Sequence, residues 1–120
     1  MPYTKTCGAP GQAKDFAYCG SVEKGVTLIF KKSKDVNIST SFLTAIRNEF
    51  QGCRIVGGFS MTDPPPDGFG AWIQLHSTEF NSGQALTPRH GSFIAAILRD
   101  AGWLQCQLEG RRVILNFENI

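Results

Sequence analysis

The run Pro64-Pro65-Pro66 is the feature that most limits how this chain can fold. Consecutive prolines fix φ and supply no amide N–H, so they cannot enter the interior of a sheet or a helix. Asp63 and Asp67 flank them and Gly68 follows, which reads as a stiff polyproline-like loop. On either side of it, strand and helix patterns alternate.

Before the loop, Val26, Leu28 and Phe30 alternate with Thr27, Ile29 and Lys31, as in a strand over 26–31. A polar turn over 32–37 follows. Phe42, Leu43, Ile46 and Phe50 share one stripe and predict a helix over 39–50, capped by Asn37 or Ser39 and closed by Gly52. A second strand is expected over 53–60, bent or closely approached at Gly57-Gly58.

After the loop, Phe69, Ala71, Ile73 and Leu75 alternate with Gly70, Trp72, Gln74 and His76, and predict a third strand over 69–76. Residues 77–86 are polar and read as a loop. Thr87 as N-cap, Pro88 at the first helical position and the stripe Phe93, Ile94, Ile97, Leu98, Ala101 predict a helix over 88–101. Gly102 should end it, with Trp103 folding back on Leu98. Two last strands, 104–108 and 112–117, join at a tight turn over Glu109-Gly110-Arg111.

The order is βαββαβ with an extra C-terminal strand, the split-βαβ pattern of ferredoxin-like α+β folds. Each helix has one apolar stripe, so both are expected on the same face of one antiparallel sheet. The domain runs over 26–120, preceded by an arm over 1–25 that is loosely structured or adds an edge strand.

A chain of 120 residues with 42% hydrophobic composition suffices for one core. No apolar run approaches the roughly 20 residues of a transmembrane helix, and 1–20 lacks the apolar core of a secretory signal. A cytoplasmic location is the default expectation, with no membrane partner. The net charge of +2 does not demand a polyanion. Cys7, Cys19, Cys53 and Cys106 form no C-x-x-C pair, so no metal site is expected. Cys53 and Cys106 lie in apolar runs and read as buried; Cys7 and Cys19 would pair only in an oxidising compartment, and free thiols are the expectation.

If both helices cover one face of the sheet, the other face carries Ile29, Val56, Trp72, Gln74, His76, Gln105, Gln107 and Ile114. A tryptophan among amides and aliphatics has the composition of an interface. The Asp63, Pro65, Asp67 loop is a second candidate for recognition, because rigid loops lose little entropy on binding.

The stretch Gly68-Phe69-Gly70-Ala71-Trp72 resembles the third strand of RNA recognition motifs, whose element order is similar. It departs from that pattern at Asp67, where a basic residue is expected, and at Ala71, where an aromatic one is. Turning Phe69 outward would also bury Gln74 and His76. Nucleic-acid binding through Lys31, Lys32, Lys34, Arg111 and Arg112 is thus an alternative and not the favoured reading. An enzyme using His76 or His90 is a further one, but no nucleophile–base or paired-carboxylate constellation accompanies either histidine. The sequence reads as a non-catalytic binding or dimerising domain without a cofactor, meeting a second copy, another protein or a small ligand through the open sheet face around Trp72.

Overall fold

The computed structural model describes residues 3–7, 15–30, 34–59, 65–80, 86–110 and 112–119. In chain order the elements are β1 (Tyr3–Lys5), β2 (Asp15–Ser21), β3 (Gly25–Ile29), β4 (Val36–Ile38), α1 (Thr40–Phe50), β5 (Arg54–Val56), α2 (Phe69–Phe80), α3 (His90–Asp100), β6 (Leu104–Glu109) and β7 (Arg112–Phe117). They form two antiparallel sheets, one in the order β1-β2-β3-β4 and one in the order β5-β7-β6. The helices pack between them: α1 touches β3 and α2, and α3 touches β1, β6 and α2. One continuous core joins Leu28 and Ile38 of the first sheet, Phe42, Ile46, Phe69, Ile73, Ile94 and Leu98 of the helices, and Leu104 and Leu115 of the second sheet.

The mixed α+β class is as expected, but the ferredoxin-like arrangement is not what forms. The expected strand over 69–76 is the helix α2. Its buried residues are Phe69, Gly70, Ile73 and Ser77, with the side chains of Phe69, Ile73 and Ser77 four apart, while Gln74, Leu75, Thr78 and Glu79 are exposed. That is a helical period. The alternation in the sequence arises because Ala71 and Leu75 happen to fall on strand parity. Gly70 stands where the chain is closely approached: a Cβ there would lie 2.2 Å from the Gly58 carbonyl oxygen. The Gly70 N–H donates to the Gly57 carbonyl at 2.7 Å, joining the start of α2 to the segment after β5.

The second difference is the separate first sheet. β4 lies where a polar turn was expected; its Asn37 faces outward and accepts a hydrogen bond from Thr27 at 2.8 Å. Within 1–25, β1 is an edge strand and β2 an inner one, pairing β1 through Ala17, Phe16 and Asp15 and β3 through residues 17–21. Among the described residues β3 therefore pairs with neither β5 nor β7, and no single sheet joins all the strands.

Other elements follow the sequence. Ser39 Oγ accepts from the Phe42 N–H at 3.1 Å, capping α1, and Gly52 follows with φ 74°. At the end of α3, Gly102 N–H donates to the Arg99 carbonyl and Trp103 N–H to the Leu98 carbonyl, the paired bonds of a Schellman motif, with Gly102 at φ 83°. β6 and β7 form a hairpin in register Glu109↔Arg112. The start of α3 differs: its first residue is His90, and Thr87 and Pro88 lie in the preceding turn, whose carbonyls accept from the His90 and Gly91 amides.

Cys7 and Cys106 form a disulfide across 99 positions. In the chain-entropy account, closing a loop of that size stabilises by about 4–5 kcal/mol. Cys19 and Cys53 are exposed free thiols, so the expectation of a buried Cys53 and of an unpaired Cys7 and Cys106 does not hold. Local sequence carries no sign of a pairing between residues this far apart. Among the described residues no helix is long and apolar enough to cross a membrane.

Candidate binding site

The expected sheet face is divided by the fold. Val56, Gln105, Gln107 and Ile114 do share a face, the outer face of the second sheet, because they sit opposite one another in register. Polar side chains lie over that face. The Arg54 guanidinium and the Glu109 carboxylate pair across β7, the Asn116 amide donates to Gln107 Oε1, and Ile114 is 1% exposed. Ile29 lies in the first sheet, opposite Ala17. Trp72, Gln74 and His76 are on α2. Asp63 lies outside the described residues, as do Lys31, Lys32 and Arg111. Lys34 and Arg112 are exposed, but Lys34 precedes β4 of the first sheet and Arg112 opens β7 of the second.

Around Trp72 a different surface assembles. The helical period of α2 directs Trp72 toward α1, where its ring stacks on Phe42 (5.9 Å between centroids, 8° between planes) and meets Phe50 edge-on at 5.2 Å. Phe50 in turn lies against Phe69 and Phe117. On the other side His76 covers part of the indole, with centroids 4.5 Å apart. An indole held from several directions has little rotamer freedom left to lose when a ligand arrives.

The partly exposed edge of Trp72 opens into a groove of about 650 Å³ between the end of α1 and the start of α2. Its walls include Glu49, Phe50, Pro66, Asp67, Ala71 and Leu75. Leu75 is 73% exposed, the most exposed large apolar side chain among the described residues. A second groove of about 440 Å³, lined by Val56, Phe59, Pro65, Val113 and Arg112, lies on the far side of the 65–68 turn. Asp67 borders both grooves, so the turn singled out in the sequence is the wall between them. The Pro65 carbonyl accepts from the Gly68 N–H at 3.0 Å, which fixes that wall.

Each histidine is engaged by its own surroundings. His76 Nδ1 lies 3.5 Å from Glu79 Oε2 on the same helix. His90 Nδ1 accepts from the Thr87 N–H at 3.0 Å, and burial, followed by the neighbouring Arg89, lowers its pKa. A lone pair committed to a backbone amide is not free to take a proton from a substrate. The Ser92 hydroxyl donates to the Arg89 carbonyl at 2.8 Å, within the first turn of α3. Among the described residues no group of His, Cys, Asp and Glu could hold a metal ion.

Strand parity placed Leu75 with the buried residues, whereas on α2 it is exposed. The signal that turns it outward is the helical set Phe69, Trp72, Ile73 and His76, spaced three and four apart. Comparison with models of known protein families, with curated proteins and with solved structures finds no match.

Proposed function

We propose that this chain is a non-catalytic binding module that takes a peptide segment of another protein in the groove between α1 and α2. The observation that carries this reading is the exposed Leu75 at the mouth of an aromatic-walled groove whose charged lining residues, Glu49 and Asp67, are both acidic. An apolar side chain of the partner fills the space against Phe50 and Trp72. A lysine or arginine beside it meets the carboxylates. Such an arrangement combines a buried anchor with charges at the rim, the usual division of labour in small interfaces.

The test is selection of random dodecapeptides displayed on phage against the native chain, with counter-selection against Leu75→Asp. The reading expects enriched sequences with an aliphatic or aromatic residue next to a basic one, and at least tenfold weaker binding to the variant. Enrichment that Leu75→Asp leaves unchanged refutes it. A dimer in light scattering that Leu75→Asp dissociates would assign the groove to a second copy instead.

Connectivity favours a second reading. α1-β5-α2-α3-β6-β7, with β7 central in its sheet, has the order of winged helix-turn-helix units, where the second helix of the pair enters the DNA major groove. The packing of α3 weighs against it. Phe93 lies against Phe16 and Phe30 of the first sheet, and Arg99 is bonded to Thr4 and to the Lys5 carbonyl, so the outward side of α3 is covered. Salt-dependent binding of a duplex oligonucleotide, weakened by Arg112→Ala, would favour this reading over the first.

A further inference from the structure

One covalent bond ties the N-terminal strand to the C-terminal hairpin. Cys7 follows β1 and is 8% exposed; Cys106 lies on β6 and is only half-buried, so it is the sulfur that an external thiolate reaches. Arg99 stands beside the bond. Its Nη1 donates to Cys7 Sγ at 3.6 Å, and its Nη2 donates to Thr4 Oγ1 at 2.9 Å and to the Lys5 carbonyl at 2.7 Å, while the Asp100 carboxylate pairs with the same guanidinium at 3.3 Å and offsets part of its charge. β1 thus holds the guanidinium against the Cys7 sulfur.

The remaining cysteines, Cys19 and Cys53, are exposed thiols. Exposed thiols endure where the thiol pool is reducing, and a disulfide formed there is typically of the exchanging kind rather than a permanent staple. The pairing of one cation-flanked disulfide with two exposed free thiols is what distinguishes this chain from a disulfide-stapled one.

We propose that Cys7–Cys106 is a redox modification site, opened by a dithiol reductant that attacks Cys106, with Arg99 stabilising the departing Cys7 thiolate and β1 as the segment released. In the first step the reductant's thiolate forms a bond to Cys106 Sγ, the Cys7–Cys106 bond breaks, and its electron pair leaves on Cys7. In the second, the reductant's other thiolate attacks its own bridging sulfur and expels Cys106 as a thiolate. The chain gains two electrons and, on protonation of both sulfurs, two protons; the dithiol becomes a disulfide. A cation within reach of the leaving sulfur makes it a better leaving group. What then holds β1 is a three-residue pairing with β2 and the Arg99 bonds.

The experiment follows reduction of the native chain by dithiothreitol, quenched with iodoacetamide and read by intact mass, for the wild type, Arg99→Gln and Arg99→Lys. Loss of the charge should slow reduction about threefold to tenfold, while Arg99→Lys stays close to wild type. In a Cys106→Ser background, alkylation of Cys7 should need a higher pH when Arg99 is Gln, a change that loosened packing alone would not produce. Hydrogen exchange of the reduced chain should accelerate over 3–7 and leave α1 and β7 protected. A reduction rate indifferent to Arg99→Gln overturns the proposal. So does reduction that strips protection from α1 and β7 together, which would make the bond a staple of the whole fold.

Discussion

Replacing Gly70 by alanine separates the helical account of 69–80 from any account in which this glycine sits in a strand or an open turn. In a free helix the change stabilises by about 1 kcal/mol, because alanine loses less backbone entropy. Here the new Cβ would lie 2.2 Å from the Gly58 carbonyl oxygen and 3.0 Å from Pro88 Cβ. Relief requires the first turn of α2 to move away from the segment after β5. That movement breaks the Gly70–Gly57 hydrogen bond of 2.7 Å, and an unpaired buried donor costs about 1–3 kcal/mol. Forced repacking of the contact adds about 1–3 kcal/mol. Set against the helix gain, the net destabilisation is about 3 kcal/mol, or roughly 10 °C in Tm for a domain of this size. Urea and thermal unfolding followed by circular dichroism measure it. A variant as stable as the wild type, or more so, would refute the close approach and with it the placement of α2.

Other consequences can be checked with the same assay. Ser77 is fully buried and its Oγ accepts from the Leu86 N–H at 2.9 Å, so Ser77→Ala should destabilise by about 1–2 kcal/mol while Thr78→Ala on the exposed side changes less than about 0.5 kcal/mol. His90 has a lowered pKa in the folded chain, so the unfolded chain binds its proton first. Its contribution is fully present above the unfolded value of about 6.5 and is lost as pH falls below that toward the folded pKa. The urea midpoint should therefore drop more between pH 7.5 and 5 in the wild type than in His90→Gln. Gly102→Ala places a side chain at φ 83° at the end of α3 and should cost about 1 kcal/mol with no loss of packing, since nothing lies within 4 Å.

The elements that were legible in the sequence are those whose signals are local. α1 carries a cap at Ser39, a stripe of four residues and Gly52; α3 carries its stripe and the Gly102–Trp103 end; the β6–β7 hairpin carries a tight turn at Gly110. α2 was illegible because Phe69, Ala71, Ile73 and Leu75 satisfy a two-residue period as well as Phe69, Ile73 and Ser77 satisfy a helical one. The length of the run cannot decide between them, and the glycines around Phe69 look like strand irregularities rather than contact points. β2 buries only Phe16 and Ala17 of its seven residues, and β4 is only three residues long. The disulfide joins residues with no common local pattern. Trp72 was singled out in the sequence with Gln74 and His76 on one sheet face; of these, His76 lies against its ring, one helical turn along. The helix gives it Phe42 and Phe50, with Leu75 beside it on the groove wall. Val56, Gln105, Gln107 and Ile114 were correctly grouped on one face, yet the Arg54–Glu109 pair occupies it.

The most direct test of the central claim is chemical-shift mapping of the isotope-labelled chain titrated with a peptide selected as above. The account predicts that the largest changes fall on the Trp72 indole N–H, the Leu75 methyls and the amides of Glu49, Phe50 and Asp67, with Trp103 unmoved. Changes centred instead on Gln105, Gln107 and Val56 would contradict it and return the binding surface to the outer face of the second sheet.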